Sequence, residues 1–360
     1  MPNDARRKIL KAVCATLLYG TAFGAGAQAS APERTRIALL LPLSSPAFAR
    51  AADSVRQGFL SAAQLDSVEK FDIAVYSTTD DPANVVAGYE QAVSENARLV
   101  VGPLTRNGVT SVALRVRPGT PVLALNFPDN DGALPEGVYT FSLQLEADAR
   151  QVARMAYDDG RRSALVLSDT LPLARRIQKA FTEEFTRLGG RISADFVFRP
   201  NTADLVALRE ATVSGQFDMA FLCIDSKPAR VARGYIDNRL AVYATSQVLE
   251  GSPDRLRDAE LNGIRFVGMP WLLQTDHPAV MAYSRSPNAL PAATDFERLY
   301  AFGIDAYRIA ADLVRGQEIG RTPLDGVTGR ISLGAGQLFT RELTAAQFVD
   351  GQPIPAVSRP

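Results

Sequence analysis

One pattern limits what this chain can become. From residue 36 onward, short apolar runs alternate with segments of helical periodicity. The run 36–43 (RIALLLPL) reads as a buried strand entering a turn at Pro42 to Pro46. Residues 47–66 then set Ala51, Val55, Phe59 and Ala62 or Ala63 on one helical face. Strands at 71–76, 98–102 and 121–126 follow, with helices at 82–95 and 107–115 between them. Asp80 or Asp81 is placed to cap the helix that opens on Pro82. Strands joined by helices imply a parallel sheet covered on both faces.

The pattern then restarts. Helices are expected at 146–159, 173–188, 202–214 and 228–238. Strands are expected at 163–168, 191–198, 219–225, 241–244 and 264–269. A long helix over 295–315 carries Phe296, Leu299, Tyr300, Ile304, Tyr307, Ala311 and Val314 at helical spacing. A short tail closes the chain with segments 326–333 and 339–348. The fold class is therefore α/β, with two doubly wound parallel-sheet lobes and crossovers between them. This order resembles the type I periplasmic binding proteins, in which the chain builds each lobe and then returns once to each. On that plan, lobe one takes 35–143 plus 275–322, and lobe two takes 146–272 plus 325–356.

The ends and the composition narrow the function. Residues 1–29 read as a secretory signal: a basic cluster, Arg6-Arg7-Lys8, a moderately apolar stretch, then Ala27-Gln28-Ala29 before the cut. The cluster RRKILK fits either a general secretory or a twin-arginine signal. Both place the mature protein in the periplasm. Lys11-Ala12-Val13 before Cys14 does not make a lipobox. No later run has the roughly 18 consecutive apolar residues that a spanning helix requires. Lys plus Arg is 39 and Asp plus Glu is 39, so no basic face is expected for a nucleic acid. One histidine, His277, leaves little for a metal centre or a serine triad. Cys223 lies in an apolar run (MAFLCI) and reads as a buried thiol. VVGPLTRNG lacks the ending of a phosphate-binding loop. No catalytic constellation and no cofactor motif is present, so an enzyme is not expected.

Ligand sites in such folds lie beyond the carboxyl ends of the strands. Lobe one offers Ser44, Ser45, Thr105, Asn126 and Phe127 there. Lobe two offers Asp169, Thr170, Asp225, Thr245, Ser246 and Trp271. Gly102-Pro103 suits a sharp turn that would aim helix-start amides at a carboxylate. Asp225 would pair with an ammonium, so an amino acid or small carboxylate is the expected ligand. The same Ser, Thr and Asp residues also serve as helix caps and turn formers. Trp271, the one tryptophan, follows Pro270 in FVGMPWLL. It either walls the cleft or wedges the lobes together.

Several phrases, in order along the chain, resemble one family. They are IALLLPLS (37–44), VVGPLTRNGV (100–109), PVLALNF (121–127), YATSQVLEG (243–251), LNGIRFVGMPWLL (261–273), LYAFGIDAY (299–307) and GVTGRISL (326–333). Together they resemble the carboxyl-terminal module of the LpoA family of penicillin-binding protein activators, also called LppC-like proteins. The resemblance implies the type I periplasmic binding protein fold and no catalysis. It also implies stimulation of a class A penicillin-binding protein from the outer membrane. Two departures stand out: family members usually carry an amino-terminal helical-repeat domain and a lipid anchor. A solute-binding protein of an amino-acid (branched-chain type) ABC transport system is the alternative.

Overall fold

The computed structural model describes residues 34–129, 132–251, 254–285, 294–316 and 322–356. The expected signal at 1–29 lies outside the described residues. The strands are β1 (Arg36–Leu41), β2 (Asp72–Ser77), β3 (Leu99–Val101), β4 (Val122–Ala124), β5 (Val138–Phe141), β6 (Ser163–Ser168), β7 (Arg191–Val197) and β8 (Met219–Cys223). β9 (Ala241–Ala244), β10 (Ile264–Gly268), β11 (Leu324–Asp325), β12 (Arg330–Leu333), β13 (Leu338–Glu342), β14 (Thr344–Val349) and β15 (Gln352–Pro355) follow. They form two sheets, ordered β11-β12-β13-β5-β4-β3-β1-β2 and β15-β14-β10-β9-β8-β6-β7.

Sequence decides which strands sit at the centre. β6 (SALVLS) is buried at every position and pairs in parallel with a neighbour on each side. A run apolar on both faces belongs at the centre of a two-sided sheet. β7 (RISADFV) alternates exposed and half-buried residues and lies at the edge.

The main helices are α1 (Ala49–Leu65), α2 (Pro82–Ser94), α3 (Arg106–Ala113), α4 (Leu145–Asp158), α5 (Pro172–Arg187), α6 (Thr202–Ser214) and α7 (Ser226–Arg233). Two short turns, α8 (Pro270–Leu273) and α9 (Pro278–Met281), precede the long α10 (Thr294–Arg315). Asp81 caps α2 by accepting from the Ala83 amide at 3.1 Å. The deepest helix pairing is α1 against α10. A Cβ on Gly58 would lie 1.9 Å from the Tyr300 carbonyl oxygen, and one on Gly303 would lie 2.1 Å from that of Val55. Two glycines facing each other's backbones thus let the helices touch main chain to main chain.

One expected boundary is wrong. Residues 325–342 do not join lobe two. β12 and β13 pair antiparallel, and β13 then docks in parallel on β5, with Leu338 opposite Thr140 and Phe339 opposite Phe141. Only β14 and β15 return to the second sheet, through the antiparallel pairing of β14 with β10. The reason is β5, which the apolar pattern did not reveal and which supplies the edge that the tail completes. A single buried apolar cluster runs through both lobes. It passes from Phe59 and Ile304 through Phe141, Met269, Trp271 and Val327 to Phe181 and Phe221.

Candidate functional site

The chain crosses between lobes three times: near 142–145, over 269–277, and near 342–344. These crossings meet, and polar groups tie them. Trp271 begins the second crossing because Pro270 lacks an N–H and opens a helical turn in place of another strand residue. Its own amide donates to the Val327 carbonyl at 2.9 Å. Its indole Nε1 donates to Glu297 Oε2 at 2.7 Å, and its ring packs on Tyr300 at 5.6 Å. The Arg285 guanidinium lies 4.3 Å over the ring and donates to the Trp271 carbonyl. Trp271 is fully buried, so it wedges the lobes and does not wall a cleft.

Asp305, on α10, holds the loop after β11. Its carboxylate accepts from the Val327 amide (3.1 Å), the Thr328 amide (2.7 Å) and the Thr328 hydroxyl (2.7 Å). Burial pushes this carboxyl up, opposed by Arg308 and by those donors. Arg341, at the third crossing, donates to the carbonyls of Ser142 (3.1 Å) and Thr328 (3.3 Å) and lies 3.8 Å from Asp148. Asp148 accepts from the Ser246 hydroxyl at 2.7 Å. Burial pushes Asp148 up as well, against the pull of Arg341. The Gln151 side chain clasps Leu343 from both sides, receiving its amide at 2.9 Å and donating to its carbonyl at 2.7 Å. His277 lies 3.5 Å from Asp325 and links the second crossing to β11.

Beside this knot lies a cavity of about 700 Å³. It is lined by Asp148, Arg341 and Leu343, by Asp225 and Lys227 from the start of α7, by Ser246 and Glu250 after β9, and by Asp295, Phe296, Arg298 and Leu299 on α10. Arg298 is held in place on the lining. It reaches Asp295 at 2.8 Å and the carbonyls of Ser246 (2.7 Å) and Leu249 (3.1 Å).

The phrases that build the knot are FVGMPWLL, LYAFGIDAY and GVTG, separate in sequence and joined in space. A model of the family described as "LppC putative lipoprotein" matches residues 27–213 and 206–351. The chain belongs to the LppC family. A protein named penicillin-binding protein activator LpoA from Pantoea ananatis is 27% identical over 369 residues, covering 89% of this chain and 54% of that protein. The protein of the same name from Haemophilus influenzae is 26% identical, covering 90% and 56%. The chain thus spans about half the length of the curated relatives it matches. Among solved structures, one described as "a putative branched-chain amino acid ABC transporter" from Chromobacterium violaceum matches with a TM-score of 0.74 and 36% identity. It covers 88% of this chain and 100% of its own. The LpoA C-domain of Haemophilus influenzae, described as a regulator of PBP1A, matches with a TM-score of 0.74 over 90% of this chain and 100% of its own. At 23% identity it shows the shared fold.

In this LppC protein the expected cleft residues divide. Asp225 and Ser246 line the cavity. Ser44 is exposed and bonds Ser77 at 2.7 Å. Ser45 is buried in the turn before α1, and Thr105 is buried at the start of α3. Asn126 is spent on its own loop, donating to the Leu104 carbonyl and receiving the Phe127 amide, both at 2.9 Å. Phe127 is half-buried and apart from the cavity lining. Thr245 is buried, with its hydroxyl 3.4 Å from Gln247. The polar strand ends of lobe one therefore stay off the cavity, which is built by lobe two, α10 and the crossings. Asp148, Arg298 and Arg341 were missed: an acid in a first helical turn and an arginine in a tail strand carry no local mark of burial. Cys223 is buried, and burial pushes its thiol up, which leaves it unreactive. Among the described residues, no group of three or more His, Cys, Asp or Glu could hold a metal ion. No helix among them is long and apolar enough to cross a membrane.

Proposed function

We propose that this chain is a non-catalytic periplasmic protein that activates a class A penicillin-binding protein during peptidoglycan synthesis. The observation that carries this reading is the extent of the family match. It runs over both lobes and all three crossings, and the curated relatives share the name of activator. The knot supports the same reading. An apolar core continuous through both lobes, with buried side chains tying the crossings, holds the lobes at one angle. A partner would then meet a surface formed in advance, with little reorganisation to offset.

The test is reconstitution. Purified chain is titrated into a class A penicillin-binding protein from the same cell, and glycan polymerisation and cross-linking are followed. Saturable stimulation is expected; an unchanged rate together with no detectable binding rejects the reading.

A second reading, a solute-binding protein for an amino-acid transporter, is favoured by the open cavity and by the likeness to the Chromobacterium violaceum protein. Calorimetric titration with the common amino acids separates the two. Micromolar binding of one of them, with no effect on the synthase, selects the second.

A further inference from the structure

We infer that Arg298 is a latch that holds the two lobes together across the cavity, so that the chain itself makes the contact that a bound molecule would otherwise supply. The crossings join the lobes by continuous chain, and such connecting segments are where lobes turn on each other. Ties made at the crossings lie close to any axis of opening and have little leverage against it. A tie made across the cavity, by residues outside the crossings, has more.

Arg298 makes such a tie. It stands near the start of α10, whose backbone packs on that of α1 in the first lobe. Its guanidinium donates to the carbonyls of Ser246 (2.7 Å) and Leu249 (3.1 Å), which follow β9 of the second sheet. The Arg298 side chain is only 16% exposed. Hydrogen bonds from a charged donor are the strong ones, and shelter from water strengthens them further. The segment it grips is a fixed part of the second lobe. Ser246–Val248 form a single helical turn. The Ser246 hydroxyl donates to Asp148 at 2.7 Å, and Gln247 Nε2 donates to Asp225 at 2.8 Å. A pull on this turn is therefore a pull on the lobe. Thr294, also on α10, adds a second tie by accepting from the Gly251 amide. Asp295 lies on α10 itself, so its 2.8 Å pair with Arg298 joins nothing across the cavity. That carboxylate is 85% exposed, and solvent screens it. The latch concerns the angle between the lobes. It holds under either function above, and its readout is that angle and not the rate of a synthase.

Paired spin labels would read the separation of the lobes by electron double resonance. They would be placed at Ala47→Cys, after β1, and Thr170→Cys, after β6, both exposed positions, in a chain carrying Cys14→Ser and Cys223→Ala. With the latch intact, one narrow distance is expected. Arg298→Ala should shift it to a longer and broader one. Thr294→Val, which keeps Arg298 and removes the second tie, should shift it in the same direction by less. Asp295→Asn should leave it unchanged. An unshifted Arg298→Ala chain overturns the latch, and if that variant misfolds, an unshifted Thr294→Val chain does so in its place. Two distances in the chain with the latch intact, or an opening by Asp295→Asn as large as that by Arg298→Ala, overturns it as well.

Discussion

Replacing Gly58 by alanine sets two effects of opposite sign against each other. In the interior of a helix, glycine costs about 1 kcal/mol relative to alanine, so Gly58→Ala should stabilise α1 by that amount. The packing says otherwise. The new Cβ would lie 1.9 Å from the Tyr300 carbonyl oxygen, 2.8 Å from its carbon and 3.2 Å from the Ile304 nitrogen. These are backbone atoms of α10, and they cannot rotate away as a side chain would. Restoring ordinary contact needs a separation of roughly 1.3 Å. A gap of about 0.5–1 Å already forfeits a quarter to a half of a dispersion well. Overpacking of this kind costs about 1–3 kcal/mol and occasionally more. Because backbone must move, we expect a net loss of about 2–3 kcal/mol after the helix gain. At about 2.1 cal/mol/K per residue, that lowers the melting temperature by roughly 3–5 °C. Scanning calorimetry reads it, with Gly132→Ala, whose added Cβ meets nothing within 4 Å, as the silent control. A Gly58→Ala protein as stable as the wild type or more so would refute the main-chain contact between α1 and α10.

Asp305→Ala removes the acceptor of three hydrogen bonds and leaves the Val327 and Thr328 amides unpaired in a buried site. We expect about 3–5 kcal/mol of destabilisation by urea titration. Trp271 fluorescence reports the transition directly, and a loss under 1 kcal/mol would contradict the clasp. Glu184 is held at about 2 by its bonds to Arg187 and Arg154, below the carboxylate value of 4.5. Its stabilisation is therefore present above pH 4.5 and lost as the pH falls from there toward 2. With both arginines half-exposed or more, solvent reduces the effect to about 1–2 kcal/mol. Glu184→Gln should flatten the acid limb of the stability profile by that amount, and an unchanged slope would show that the arginines contribute nothing.

The parts of the fold that could be read from the sequence are those where burial repeats. β6 is apolar throughout, and α1 places Val55, Phe59 and Ala62 inward at helical spacing, so both lobes were legible. β5 was not. Val138–Phe141 is four residues long and follows a loop rich in Pro, Gly and Asp, so no period is established. Missing it concealed the partner of β13, and the tail went to the wrong sheet. The site was legible in part. Asp225 and Ser246 follow strands β8 and β9 and reach the cavity. Asn126 follows a strand equally well and serves its own loop, because a strand-end polar residue meets local backbone before it meets a ligand, and Ser45 and Thr105 are buried away from the cavity. Arg341 and Asp148 are 193 positions apart, and their pairing depends on three crossings that no local window contains.

The order of β13 and β14 has a consequence for inheritance. Residues 338–342 complete the first sheet, and 344–349 complete the second. Neither lobe is encoded by one continuous stretch of gene, and each needs sequence from the far end of the other. A recombination event or truncation between residues 143 and 338 would leave both lobes incomplete, so the two lobes are passed on together or not at all.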